Sequence, residues 1–146
     1  MEFLVALDFS DSTSDVIKQA EKLAVAFSAR LWVLHVAEPD PEFVGYGVGP
    51  QNIRDSLAVI FHKEHQKLQQ ISAELRTEGV DCTGILAQGQ TAETIVNESK
   101  KLSVDIIVIG SHSKGLARNL FLGSTSKEVL HKSNIPVLLV PLHGRT

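Results

Sequence analysis

Short runs rich in Val, Ile and Leu alternate along this chain with longer segments of helical periodicity, and this alternation leaves few possible folds. The apolar runs are FLVALD (3–8), LWVLHV (31–36), GVDCTGILAQ (79–88), VDIIVI (104–109) and IPVLLV (135–140). Strands that are apolar throughout and separated by helices are typical of a parallel sheet covered by helices on both faces. With right-handed crossovers, the 146 residues predict one α/β domain, 1–146, built on an open five-stranded parallel sheet.

Four segments between these runs predict the helices, because their apolar residues recur at the spacing of one helix face. The first, before the second strand, has Val16, Ala20, Leu23, Ala24 and Phe27. The second, about 52–78, has Ile53, Leu57, Ile60, Phe61, Leu68, Ile71 and Leu75. The third, about 91–101, has Ala92, Ile95 and Val96. The fourth opens at 123–126.

Side chains able to accept a hydrogen bond from the first helical N–H groups mark the predicted helix starts. Ser12 with Asp15, and Thr125 with Glu128, have the spacing of a capping box. Thr91 is the candidate cap of the third helix.

The charge of the chain gives no electrostatic reason to expect nucleic acid or an anionic membrane as a partner, since the net charge is −3. The first residues, MEFLVALD, lack the basic segment and cleavage site of a secretion signal, and the apolar runs are far shorter than the roughly 20 residues that span a bilayer. We therefore expect a cytoplasmic protein. The single cysteine, Cys82, is expected to be a buried strand thiol.

A carboxylate and a glycine at the ends of two predicted strands mark a candidate binding site. Asp8 ends the first strand and Gly110 follows the fourth. In open parallel sheets, ligands bind outside the carboxyl ends of the strands, where the strand order reverses. A carboxylate there can accept from a ribose hydroxyl or an adenine amino group, and a glycine lets the backbone approach a ligand. Asp8 is equally compatible with a turn that caps the following helix.

The stretch GSTS at 123–126 opens the last predicted helix with a glycine and three hydroxyls. Free N–H groups at a helix N-terminus favour anions such as phosphate. The same stretch also fits a helix cap with no ligand. Lys114 and Arg118 in the preceding loop are able to neutralise phosphate charge, although solvated loop cations are the more common case.

Three histidines are weaker candidates. His62 and His65 lie three residues apart on the second helix, a spacing that can bind a metal, but no further ligand completes a site and no metal is expected. His35 is expected to be a structural imidazole near the end of a buried strand. The chain has neither a P-loop nor a nucleophile elbow, so no sequence motif requires an enzyme.

These features resemble the universal stress protein family, and in particular its ATP-binding branch, which has the motif G-x2-G-x9-G-(S/T) after the fourth strand. The motif positions hold Gly110, Ser113, Gly123 and Ser124, so that serine replaces the second glycine. The resemblance covers essentially the whole chain, through LVALDFSDS, LHV, GQTAETIV, VDIIVIGSHS, FLGSTSKEVL and PVLLV.

The resemblance implies a Rossmann-like fold of strand order 3-2-1-4-5 and a homodimer formed by antiparallel pairing of the last strands, about 135–142. It implies ATP as a regulatory ligand, Mg²⁺ held mainly by the phosphates, an unidentified protein partner and at most slow hydrolysis. It places Asp8 on the adenosine portion, main-chain groups of Val36 on the adenine and Ile109 beside the base. The implied binding residues are Ala6, Leu7, Asp8, Val36, Ile109, Gly110, His112, Ser113, Gly123, Ser124 and Thr125.

Two other functions stay open. One is a nucleotide-free dimeric interaction module, like the other branch of the family, in which GSTS is only a helix cap. Ser113 is the feature that discriminates this module from an ATP-binding protein, because serine at a motif glycine hinders a close backbone approach and a positive φ. The other is an enzyme of related α/β fold that transfers a phosphoryl or nucleotidyl group, for which the sequence offers no catalytic residue.

Overall fold

Strands and helices alternate through the chain, as the sequence predicts. The computed structural model describes residues 1–10, 13–38, 51–111 and 123–141, with 51–57 described by their backbone alone. In chain order the elements are β1 (Glu2–Leu7), α1 (Thr13–Phe27), β2 (Arg30–Ala37), α2 (Gln51–Thr77), β3 (Cys82–Gln88), α3 (Thr91–Lys101), β4 (Ile106–Ser111), α4 (Ser124–Lys132) and β5 (Val137–Pro141).

The five strands form one parallel sheet of order β3-β2-β1-β4-β5, which confirms the predicted fold. β1 lies in the centre: Leu7 is opposite His35 of β2, and Ala6 is opposite Ile109 of β4. The chain continues from β1 to β2, its neighbour in one direction along the sheet, whereas β4 is the neighbour of β1 in the other direction. The strand order therefore reverses between β1 and β4.

Alternate residues of the strands supply two separate cores. Phe3, Val5 and Leu7 of β1 pack under α1 and α2, whereas Leu4 packs under α3 and α4. Full burial of each large aliphatic side chain contributes roughly 1.5–3 kcal/mol. The two cores, more than the scattered polar contacts, therefore hold the helices on the sheet.

Among the described side chains of the predicted helix stripes, two are exposed. Phe27 is the last residue of α1; it is 53% exposed and meets the ring of Phe3 only edge-on, at 6.1 Å between centroids. Ile60 of α2 is 50% exposed, whereas Leu68 and Leu75 of the same helix are buried. A helix of this length spans about 40 Å and a strand such as β3 about 23 Å. The sheet is too short to cover α2 along its whole length.

The predicted helix caps are wrong where the structure describes them. Gln90, not Thr91, is the N-cap of α3, and the Thr91 hydroxyl donates instead to Glu38 Oε1 at 2.6 Å. The capping box of Thr125 with Glu128 is not formed, because Gly123 is the N-cap of α4 and no side chain of the described residues caps it. Ser12, the first residue of the other predicted box, lies outside the described residues.

The close approach of α2 to the sheet depends on Gly84 of β3. A Cβ at this position would lie 2.7 Å from Ser72 Oγ and 3.3 Å from the Leu68 carbonyl oxygen. A larger residue would have to displace the Ser72 hydroxyl and shift Leu68, because the interior here is closely packed. This contact fixes the height of α2 above the strands, and thereby the height of the polar residues on its sheet-facing side.

Candidate functional site

The carboxyl ends of β1 and β4 are neighbours at the point where the strand order reverses, which is where α/β sheets of this kind bind ligands. We call this region the crevice; it has Asp8–Ser10 on the β1 side, and Gly110 with Gly123–Ser126 on the other. The candidate site predicted from the sequence lies at these strand ends. The structure brings these segments together across a sequence separation of more than a hundred residues.

On the β1 side, the chain leaves the strand through a tight turn. The Ser10 N–H donates to Asp8 Oδ1 at 2.9 Å, and Phe9 between them has φ 58°. The Ser10 carbonyl then accepts from the Thr13 N–H at 3.0 Å, where α1 begins. Asp8 is thus a turn carboxylate, the structural alternative considered for it, and its side chain is nevertheless exposed at the end of β1.

A histidine of the neighbouring strand supports this turn. His35 is 8% exposed, its Nδ1 lies 2.8 Å from the Leu7 carbonyl oxygen, and its ring stacks on Phe9 with 4.1 Å between centroids. Glu64 of α2 lies on the far side, with Oε1 3.5 Å from His35 Nε2. Lys67 Nζ lies 5.4 Å from the Phe9 ring centroid, within cation–π range.

Only part of this arrangement is predicted by the sequence. His35 is, as predicted, an imidazole near the end of a buried strand. The parts of Phe9, Glu64 and Lys67 were not predicted. The position of Phe9 directly after a strand-end carboxylate was the one available signal, since Glu64 and Lys67 look like ordinary members of a polar helix face.

On the opposite side, the first turn of α4 is joined to the end of β4. The Ser126 hydroxyl donates to the Gly110 carbonyl oxygen at 3.0 Å, and Ser126 is 2% exposed. Gly110 is itself part of β4 and pairs with Val140 of β5, so the strand ends two residues later than predicted. Ser124 and Thr125 are the first two helical residues.

The N-terminus of α4 has the features of an anion-binding end. Gly123, with φ −60° and ψ 156°, is the N-cap and has no oxygen-bearing side chain. The N–H groups of the first helical turn have no intrahelical partner, and they carry the positive end of the helix dipole. The Ser126–Gly110 bond places this end beside the carboxyl end of β4.

The other predicted binding residues divide into two groups. The side chains of Leu7, Val36 and Ile109 are buried and Ala6 is partly buried, so the roles expected of them in binding stay predictions. His112 and Ser113 lie outside the described residues, as do Lys114 and Arg118. The effect of the serine at the second motif position is therefore still a prediction.

Other chemically active side chains lie away from the crevice. Burial raises the pKa of the Cys82 thiol, which is 1% exposed in the core under α2. His62 lies 3.2 Å from the Gln66 side-chain nitrogen on the exposed face of α2. Among the side chains that the structure describes, in 1–10, 13–38, 58–111 and 123–141, no three His, Cys, Asp or Glu are grouped to share a metal ion. None of the helices in the same ranges is both long and apolar enough to cross a membrane.

The sequence of this chain matches one family along nearly its full length. The model of the universal stress protein family aligns with residues 1–141. The chain belongs to the universal stress protein family. A universal stress protein of Thermus aquaticus is 32% identical over 143 residues, covering 94% of this chain and 96% of the relative. The protein YxiE of Bacillus subtilis is 32% identical over 144 residues, covering 95% and 97%.

Solved structures of the family have the same fold. The MJ0577 protein of Methanocaldococcus jannaschii superposes with a TM-score of 0.80 at 28% identity, covering 99% of this chain and 97% of that one. A universal stress protein in complex with cAMP gives 0.70 at 19% identity, covering 98% of both chains. An Archaeoglobus fulgidus member in complex with dAMP gives 0.67 at 24% identity, covering 96% and 97%.

Proposed function

We propose that this universal stress protein binds ATP in the crevice as a regulatory ligand. The observation that carries the proposal is the hydrogen bond from Ser126 Oγ to the Gly110 carbonyl oxygen at 3.0 Å. Through it, a helix start without a side-chain cap lies next to the end of β4, one strand away from the Asp8 carboxylate. Anion-binding N–H groups and a hydrogen-bond acceptor at neighbouring strand ends would suit a ligand with phosphates at one end and hydroxyls or an amino group at the other.

The residues that are described fit such a ligand. Asp8 is exposed and would accept from the adenosine portion, and the main chain at Val36 would contact the adenine. Gly110, Gly123 and the two hydroxyl residues that follow Gly123 would hold the ribose and the phosphates. A bound Mg²⁺ would neutralise phosphate charge and be coordinated mainly by phosphate oxygens and water, as is usual for this ion. The protein's own part is to orient the nucleotide.

Two family members support the choice of an adenine nucleotide. The ligands in their structures, cAMP and dAMP, share an adenine, a sugar and one phosphate. Both chains are under 25% identical to this one, so they support a ligand class and do not identify the ligand. The G-x2-S-x9-G-S spacing of this chain, with three of the four motif positions kept, favours ATP within that class.

The regulatory role includes a partner and a second copy of the chain. We propose a cytoplasmic homodimer that pairs through β5, about 135–142, because β5 is an edge strand and Leu138 is 38% exposed on it. Nucleotide occupancy would then change the surface presented to a protein partner. Hydrolysis is expected to be slow, and sustained phosphate release at ordinary enzyme rates under multiple turnover would contradict this.

The proposal is tested by calorimetric titration of the purified, nucleotide-stripped protein with Mg·ATP, AMP and inorganic triphosphate, after mass spectrometry of whatever co-purifies. Saturable binding of Mg·ATP is expected, with weaker binding of each fragment. No heat with any of the three, and no co-purified nucleotide, would favour the nucleotide-free interaction module. In that case the start of α4 is only a helix cap.

A further inference from the structure

We infer that His35 is a positioning residue: it holds the turn at Asp8–Ser10 in the conformation that presents the Asp8 carboxylate to the nucleotide. The inference rests on the proposed function. It starts from a juxtaposition that neither the motif nor the family comparison contains. His35 contacts the residue before Asp8 through the Leu7 carbonyl oxygen, and the residue after it through the ring of Phe9.

The turn needs support from outside its own sequence. Phe9 has φ 58°, in the left-handed region that a bulky aromatic residue rarely adopts. The bond from the Ser10 N–H to Asp8 Oδ1 at 2.9 Å is local, and Asx turns of this kind form with many intervening residues. A strained backbone of this type persists when the surrounding structure over-determines it. The contacts of Phe9 and Leu7 with β2 provide that surrounding structure.

The strand register places the imidazole of His35 where it can support the turn. Leu7 and His35 are directly opposite in the parallel pair β1–β2. A carbonyl oxygen only accepts, so Nδ1 is the nitrogen that carries hydrogen and donates to Leu7 at 2.8 Å. The distance from Nε2 to Glu64 Oε1, 3.5 Å, is longer than an ordinary hydrogen bond, so the bond to Leu7 is the contact that orients the ring. This bond fixes the ring plane on which Phe9 stacks, with 28° between the planes.

Helix α2 closes the arrangement from above. Glu64 lies beside the far nitrogen of His35, and Lys67 Nζ lies 5.4 Å from the centroid of the Phe9 ring. Phe9 therefore contacts both a cation and an imidazole, which favours its aromatic ring over an aliphatic side chain of similar size. Asp8 lies between Leu7 and Phe9 in the chain, so the contacts of these two residues position it.

The test compares two substitutions that keep different nitrogens of the ring. His35→Asn retains an amide near the place of Nδ1 and can still donate to Leu7, whereas His35→Gln carries its amide near the place of Nε2 and cannot. The ¹H–¹⁵N signal of the Ser10 amide reports the turn without any nucleotide. Calorimetric titration with AMP and with Mg·ATP reports binding.

We expect His35→Gln to move the Ser10 signal away from its wild-type position. It should also lower the affinities for AMP and for Mg·ATP alike, by about five- to tenfold, which corresponds to the loss of one hydrogen bond. His35→Asn should restore most of both. Equal thermal midpoints of the two variants show that the difference is one of positioning. Glu64→Gln, which keeps the shape of its side chain, is expected to change both readouts less than His35→Gln.

A folded His35→Gln variant with an unchanged Ser10 signal and unchanged affinity would overturn the inference, as would a His35→Asn variant no better than His35→Gln. Should both variants fail to fold, Phe9→Leu removes the stack and leaves the Leu7 bond; an unmoved Ser10 signal there would equally overturn it. Absence of nucleotide binding by the wild-type chain would defeat the proposed function instead. The Ser10 signal then still decides whether His35 holds the turn.

Discussion

The two sides of the crevice are built in different ways. On the β1 side, the turn after Leu7 is held by side chains from β2 and α2, through a hydrogen bond, a ring stack and a cation above the ring. On the α4 side, the Ser126 hydroxyl donates to the Gly110 carbonyl oxygen of β4, and the helix begins at a glycine that no side chain of the described residues caps. The first arrangement holds the turn next to one carboxylate. The second presents main-chain N–H groups and the hydroxyls of Ser124 and Thr125, which suits a flexible and highly charged group such as a phosphate chain.

A comparison of the described non-glycine residues that have a positive φ supports this distinction. Ser28 and Ser103, at φ 52° and 54°, follow α1 and α3 closely, where helices commonly end in this conformation. Phe9 follows a strand, is bulky, and lies next to a candidate ligand-binding carboxylate. Such strain costs on the order of 1–3 kcal/mol and tends to be kept where a site needs it.

The largest expected effect comes from a substitution on the α4 side of the crevice. Gly123→Val should reduce Mg·ATP affinity by more than about 100-fold, because its side chain crowds the place where two or more phosphate contacts, each worth roughly 1.5–3 kcal/mol, would form. The fold should be kept, since φ −60° is accessible to any residue. Calorimetric titration measures the affinity.

The fold of that variant is checked with Cys82. Burial raises the pKa of this thiol, so the folded chain presents little thiolate near neutral pH, and labelling requires the core to open. Gly123→Val should react with a thiol reagent as slowly as the wild-type chain. A slowly labelled variant with full Mg·ATP affinity would move the phosphate site away from α4.

On the β1 side, Asp8→Ala should lower the affinity for ATP and for AMP alike, by about 10- to 100-fold. The reason is that the proposed contact is a charge-assisted hydrogen bond to the adenosine portion, which both ligands share. Asp8→Asn is the matched control, since it keeps an oxygen acceptor for the Ser10 N–H and removes the charge. Parallel titrations of the two nucleotides make the comparison. A loss confined to ATP would contradict the assignment and place Asp8 near the phosphates.

The smallest expected effect is on the bond from Ser126 to Gly110, between α4 and β4. Ser126→Ala removes the hydroxyl that donates to the Gly110 carbonyl oxygen. We expect the free energy of unfolding to fall by about 1 kcal/mol and Mg·ATP affinity to fall about fivefold, because the helix start is less well placed. Chemical denaturation and titration measure the two quantities.

Ser99→Ala is a matched control for that variant. Ser99 is also fully buried and donates to a main-chain carbonyl, that of Ile95, at 2.7 Å, but within α3 and away from the crevice. It should lose similar stability with no change in affinity. Equal losses of affinity in both variants would mean that the Ser126 bond has no special part in the site.

Part of the candidate site was predictable from local signals. Asp8 and Gly110 follow from where apolar runs end, and Gly123 with Ser124 from where a helical pattern begins. The cap at Thr91 was mispredicted because its hydroxyl has a partner far away in the sequence: it donates to Glu38, fifty-three residues earlier. The Ser126 hydroxyl likewise donates to Gly110, sixteen residues earlier. The hydroxyl spacing alone contains no information about those acceptors.

The sequence by itself determined that this chain forms a parallel α/β sheet with a buried core on each face, because the periods of apolar residues along strands and helices are local properties of the chain. Only the tertiary structure decided how the crevice is held. The register of β1 against β2 places His35 opposite Leu7, and the height of α2 above the sheet places Glu64 and Lys67 beside them. These contacts depend on distances between residues far apart in sequence, which no short pattern encodes.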